Sequence, residues 1–319
     1  MNVTGAIIDQ YEIVSRAAHL GETQHTNQIV AAAVLSRKPD VGPQGDAPLH
    51  RRRPIAVARS PFGAYLSGVK RAGVLILGAV FALTAQTSFA GDYNGLVLEQ
   101  IKQMPQGGRY SVSRFAKIRL QSSAHFESGK FFILPSAASP SFCSGATYLV
   151  FIRTLETLRA RGELHFDYST LEQLIIRDQR DGEGIWGRWN ANGPGTARLF
   201  HELGLGRNFD NFDQARPGDF MKIFWSRQVG KSEHGHSTVF LGTENHFGVQ
   251  YVRYWSSNIP SGYGEKSVPR SKIAYAIFSR LETPANLARI STAPSVDSYL
   301  ASLLRTRSSI AEAGTKCGL

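Results

Sequence analysis

A chain of 319 residues accommodates one large domain or two small ones, and 42% apolar against 19% charged residues excludes a disordered chain. Its 36 Lys and Arg against 25 Asp and Glu give a formal charge of +11, which favours anionic partners without choosing between nucleic acid and a cell-envelope polymer. Two cysteines, Cys143 and Cys317, are too few for a disulfide scaffold or a four-thiolate zinc site.

Residues 1–68 hold Arg51-Arg52-Arg53-Pro54, scattered Gly and Pro and no sustained period. They read as a leader, or as sequence ahead of the true start, rather than as native structure. Lys70-Arg71 then leads into the apolar run Ala72–Ala85, with small residues Ser88 and Ala90 before Gly91. Two basic residues, an apolar stretch and small residues at −3 and −1 are the layout of an export signal over 69–90. Val69 is the alternative start that would give this signal an ordinary length. The run is shorter than the roughly 20 residues of a bilayer-spanning helix, and a buried core helix is the competing reading. Cleavage after Ala90 removes nine basic and five acidic residues and leaves a basic, exported chain, periplasmic or extracellular.

The elements beyond Gly91 follow from periodicity. Tyr93–Met104 spaces Leu96, Leu98, Ile101 and Met104 as a short helix ended by Pro105. Tyr110–Leu120 alternates in part and predicts an extended segment; Phe131–Leu134 predicts a strand. From Ser144 to Arg161, Ala146, Leu149, Val150, Ile152, Leu155 and Leu158 recur at helical steps, and Gly162 closes the pattern. Leu171–Ile176 and Ala197–Leu205 predict further helices. The glycines and proline of Asp181–Gly195 predict a loop. Asp219–Trp225, Ser237–Gly242, Gly248–Trp255 and Ile273–Arg280 are rich in β-branched and aromatic residues and read as strands. Residues 286–319 read as a tail in which Ser295–Leu304 forms a helix outside the core. Helices first and antiparallel strands second make the fold class α+β, with 91–285 as the functional domain.

The chemistry starts at Phe142-Cys143-Ser144-Gly145, where a Pro/Ser loop turns into the long helix. Unpaired N–H groups and the positive dipole end of a helix favour thiolate over thiol, and the same N–H groups can hold an oxyanion. A thiolate needs a base, and Gly235-His236-Ser237 places His236 at the head of an apolar strand. The third member accepts the other imidazole N–H; Asn258, at the end of Tyr254-Trp255-Ser256-Ser257-Asn258, is the first choice and Ser256 the second. Trp186, Arg188, Trp189, Asn190 and Asn192, together with Ser144 and Ser256, form the expected substrate-binding set, because indole faces stack on sugars or peptides and amides direct hydrogen bonds. A glycine-rich surface loop whose tryptophans pack on the domain is the bland alternative.

Cys-Ser-Gly at a helix start, then Pro217-Gly218-Asp219, then Gly235-His236-Ser237 before an apolar strand ending in Leu241-Gly242 resembles the NlpC/P60 superfamily and the neighbouring CHAP amidases. The resemblance spans about Phe131 to Arg280. It implies a papain-like fold and a cysteine peptidase or amidase acting on peptidoglycan stem peptides, with no cofactor. Phe142 departs from the Asp usual before the cysteine, the interval to His236 is long, and the third residue lies further from the histidine than in typical members.

Competing readings remain at this level. Cys143 paired with Cys317 in a disulfide would remove the nucleophile. His234 and His236 could be a zinc pair, with Asp219, Glu233 or His201 as third ligand. A thioester acyltransferase would share every residue, and a non-catalytic wall-binding protein would need none of them. No motif implies nucleic acid.

Overall fold

The computed structural model describes residues 91–127 and 130–319. The expected leader and export signal, residues 1–68 and 69–90, lie outside the described residues. In chain order the elements are α1 (Asn94–Lys102), β1 (Gly107–Gly108), α2 (Arg114–Gln121), β2 (Ala124–Glu127), β3 (Lys130–Ile133), α3 (Cys143–Ala160), α4 (Tyr168–Gln173), α5 (Gly184–Trp189) and α6 (Gly195–Leu203). There follow β4 (Gly206–Phe209), β5 (Phe220–Phe224), β6 (Val229–Gly230), β7 (Gly235–His246), β8 (Val249–Asn258), β9 (Gly262–Pro269), β10 (Tyr275–Leu281), α7 (Ser298–Ser302), β11 (Arg307–Ser308) and α8 (Ile310–Lys316). The architecture is α+β. Seven strands make one antiparallel sheet in the order β1-β9-β8-β7-β5-β10-β4. No helix among the described residues is long and apolar enough to cross a membrane.

The helix α3 is the centre of the molecule. Eleven of its 18 residues are buried, from Gly145 to Leu158. A helix apolar on most sides belongs in an interior, and this one lies against β7 and β8. Strand alternation then divides the sheet. Phe220, Val239, Trp255 and Leu281 join the α3 core, whereas Met221, Ile223, Phe240, Tyr254 and Phe278 form a second cluster.

Three expectations are corrected. Tyr110–Leu120 is not extended, because Ser113 caps a helix there: its hydroxyl accepts from the N–H of Ala116 at 3.3 Å. Asp181–Gly195 is not a plain loop, because it contains α5. At Gly187 a Cβ would run into the carbonyl of Arg180, so this glycine serves close backbone packing. The strand β9 went unread, since Gly262-Tyr263-Gly264-Glu265-Lys266 has little strand character of its own; pairing with β8 along its whole length makes it one.

The tail is the third correction. Leu287, Ile290, Leu300, Leu303, Ala313 and Cys317 are buried. Asp297 caps α7, accepting from the N–H of Leu300 at 2.8 Å, and pairs with Arg198 at 2.7 Å. The strand β11 pairs with β6, and Lys231 N–H donates to the Thr306 carbonyl at 2.8 Å. Burial of Leu300 and Leu303 alone stabilises the fold by roughly 3 to 6 kcal/mol. Deleting residues 295–319 should therefore lower the thermal midpoint by about 10 °C or more. A midpoint unmoved in calorimetry would mean that the segment is an appendage after all.

Candidate active site

The backbone ahead of α3 is pinned before it reaches the cysteine. Tyr263 Oη donates to the Ala138 carbonyl at 2.9 Å, and Ser141 Oγ donates to Ser257 Oγ at 2.7 Å. Phe142 at the N-cap is extended and supplies no side-chain cap. Ser, Thr, Asp or Asn there would occupy an N–H of the first turn and contribute about 1 kcal/mol; Phe142 leaves the N–H groups of that turn without such a side-chain partner. The first turn is held from both sides. Trp189 Nε1 donates to the Ser144 carbonyl and to Thr147 Oγ1, each at 3.2 Å. Thr147 Oγ1 and Ser237 Oγ lie 2.8 Å apart, tying α3 to β7.

His236 comes to the same place from the sheet. Val239 pairs with Trp255 across β7 and β8, and this register continued three residues sets His236 opposite Asn258. His236 Nε2 and Asn258 Oδ1 are 3.1 Å apart. The orientation of that amide follows from its other bonds: Asn258 Nδ2 donates to the Gly264 carbonyl at 2.8 Å and to the Ser256 carbonyl at 3.3 Å. Oδ1 is left as acceptor, so Nε2 donates to it and Nδ1 is the nitrogen free to exchange a proton. Trp225 stacks on the imidazole at 6.3 Å and Tyr254 meets it edge-on at 5.5 Å. Ser256, the second choice for this role, donates instead to the Ser237 carbonyl at 2.7 Å. Asn258 is the residue brought to the histidine.

Cys143 is half-buried. Burial pushes its thiol up, but a hydrogen bond with His236, the charge of that ring, the backbone N–H of Ser237 and the charge of Lys222 outweigh it, bringing the pKa down to about 6. With Nε2 taken by Asn258, Nδ1 is the nitrogen left for the thiol. Cys317 has the opposite surroundings. It is a buried, free thiol among Ala197, Phe224, Val229, Ile277 and Ala313, pushed up to about 12 by burial. Cys143 and Cys317 therefore do not form a disulfide, and Cys317, two residues from Leu319 in the segment read as a tail, is buried.

A cavity of about 170 Å³ opens beside Cys143, lined by Ser144, Trp189, Asn190, Asn192, Thr196 and Lys222 among others. Ser144 Oγ donates to Asn190 Oδ1 at 2.6 Å. Asn192 is fastened by its Nδ2 to the Gly230 carbonyl at 2.7 Å and by its N–H to Asp181 at 2.9 Å. The rest of the expected substrate set packs inward. Trp186 is buried against Tyr148 and Phe142. Arg188 is fully buried, held by Glu202 at 2.7 Å and by the carbonyls of Gly184 and Pro294. Trp189 is core on three sides, stacked on Phe151 at 4.8 Å and edge-on to Phe220 at 5.2 Å. Trp186 and Arg188 are buried away from the cavity, and Trp189 braces the first turn of α3. The three pack inward because α5 has a buried face that a loop would lack.

Pro217-Gly218-Asp219 is structural. Asp219 takes both Arg280 donors, at 2.8 and 2.7 Å, and accepts from Asn94 Nδ2 at 2.8 Å. Gly218 has φ +99 with the Asn94 backbone 2.6 Å from where a Cβ would stand, so only glycine fits the turn. Among the described residues no three His, Cys, Asp or Glu side chains gather where a metal ion could be held. His234 is exposed and precedes β7, Asp219 is paired with Arg280, and Glu233 is paired with Lys222 at 2.6 Å. Lys222 was not singled out by sequence, although it is the one charge in Phe220-Met221-Lys222-Ile223-Phe224, and a lone cation in an apolar strand is a signal.

With Cys143 as nucleophile and His236 as base, the roles that the sequence reading assigns them, Asn258→Ala should lower kcat roughly ten- to hundredfold, less than the loss on removing the base itself, because the amide would orient the ring without exchanging protons. Ser256→Ala should cost less. The reverse ranking in steady-state assays would move the orienting role to Ser256.

Neither protein-family models nor searches of curated proteins and of solved structures gave a match to this chain.

Proposed function

We propose that this chain is an exported cysteine hydrolase that cuts amide bonds, with peptidoglycan stem peptides as its substrate class. The observation that carries the proposal is the meeting of Cys143, at an uncapped helix start, with His236, whose Nε2 is held by Asn258 at 3.1 Å. The order of a cysteine-bearing helix followed by antiparallel strands, with the histidine at the head of one, agrees with an NlpC/P60-like, papain-like fold. The signal layout at 69–90 and the positive charge support a wall substrate.

The chemistry needs these groups alone. The Cys143 thiolate adds to the amide carbonyl carbon, and the C=O electron pair moves to oxygen, where the Cys143 N–H meets the charge. His236 gives its proton to the nitrogen as the C–N bond breaks, releasing the amine and leaving a thioester. Water then attacks that carbonyl while His236 takes its proton. The C–S bond breaks, and the acid leaves with the thiolate restored.

The test is incubation of the protein with wall sacculi and mass spectrometry of the soluble fragments. Expected are new amine and carboxyl ends, unaffected by EDTA and absent with Cys143→Ala. Added amine acceptors that turn the acid product into an amide would mark an acyltransferase. EDTA-sensitive release restored by zinc would mark a metallopeptidase, and wall binding with no release by either protein a non-catalytic role.

A further inference from the structure

Lys222 is placed with unusual definition for a lysine. It pairs with Ser237 across β5 and β7, and both residues line the cavity together with Cys143. The ammonium therefore stands in the wall of the cavity next to the nucleophile. Its Nζ is 2.6 Å from Glu233 Oε1, with the Lys222 side chain 15% and the Glu233 side chain 1% exposed. Glu233 Oε2 accepts from the Gly230 N–H at 3.0 Å, which fixes the carboxylate. The Phe224 ring lies 5.3 Å from Nζ, and a Cβ at Gly235 would stand 2.7 Å from Nζ and Cε, so the lysine stem runs tight over that glycine.

A buried ion pair contributes little net stability, and apolar residues of similar volume generally do as well or better. This one borders a cleft whose other walls include Asn190, Asn192 and Thr196, all hydrogen-bonding side chains. Glu233 lines the same cavity but is the more deeply buried partner of the pair, and the Lys222 charge is among those that lower the Cys143 pKa. The cavity of about 170 Å³ has room for a side chain.

We infer that this cavity is a carboxylate subsite, in which Lys222 seats a free carboxylate on the residue adjoining the scissile amide and Glu233 holds Lys222 in place. The inference rests on Cys143 as nucleophile and names which amides the site takes. A charge-assisted hydrogen bond to the carboxylate discriminates against the neutral amide by roughly ten- to hundredfold.

The test uses peptide pairs with Glu or Gln at each of the two positions flanking the scissile bond. The full-length protein should favour the Glu peptide by that factor in kcat/KM, mostly through KM. Lys222→Met should collapse the ratio towards one. Because that variant strands the Glu233 carboxylate, Lys222→Met/Glu233→Gln serves as the second variant and should show the same collapse. Turnover of both peptides at equal rates by the unmodified protein would overturn the subsite and leave the nucleophile untouched. If neither peptide is cut, calorimetric binding to Cys143→Ala decides: tighter binding of the Glu peptide supports the subsite even as the hydrolase reading falls, and equal binding overturns it.

Discussion

Iodoacetamide at pH 7 should modify Cys143 at least about a hundredfold faster than Cys317. With pKa values of about 6 and about 12, the thiolate fractions differ by roughly 10⁵. The lower-pKa thiolate is intrinsically the weaker nucleophile, which takes back about 10² to 10³ of that. Burial of Cys317, 1% exposed, widens the gap again. The rate at Cys143 should rise with pH through about 6 and then level, because the thiolate forms as pH climbs past its pKa. His236→Ala removes the hydrogen bond and the charge that oppose burial, so the midpoint should move upward and labelling at pH 7 should slow about tenfold or more. Peptide mapping of labelled protein reads both rates. Equal labelling of the two cysteines, or a midpoint near the ordinary thiol value of about 8.5, would remove the thiolate from the account.

Cys143→Ala should reduce amide hydrolysis by about 10⁴ or more, and His236→Ala by nearly as much. The two act as one unit: a thiol without its base and a base without its thiol each leave only what oxyanion binding and substrate positioning supply. The double variant should therefore be little worse than either single one. Losses that multiply would mean that cysteine and histidine act independently, and a small loss in Cys143→Ala would end the nucleophile's claim.

How much of this was legible from residues depends on how local the signal is. The long helix α3 could be read because its apolar repeat runs over 18 residues, and β5, β7, β8 and β10 because their β-branched and aromatic runs are dense. Cys143, His236 and Asn258 were legible because each stands at the end of such an element, where loops and chemistry meet. Trp186 and Arg188 misled, since in sequence they sit among glycines and only the fold shows those glycines serving close packing. Trp189 sends its indole N–H to the turn behind Cys143, a contact across 45 residues that no local pattern encodes. The docking of residues 286–319 depends likewise on a distant receiver. β11 needs β6, and Leu303 needs the glycines at 193 and 230.

The most direct measurement is a rapid-quench intact-mass experiment on the protein mixed with a cleavable amide. The account predicts a transient mass increase equal to the acyl portion of the substrate, localised by peptide mapping to Cys143. The adduct should decay as the acid product appears, and it should be missing from Cys143→Ala. Product formation at full rate with no adduct at any quench time, surviving complete alkylation of Cys143, would contradict it.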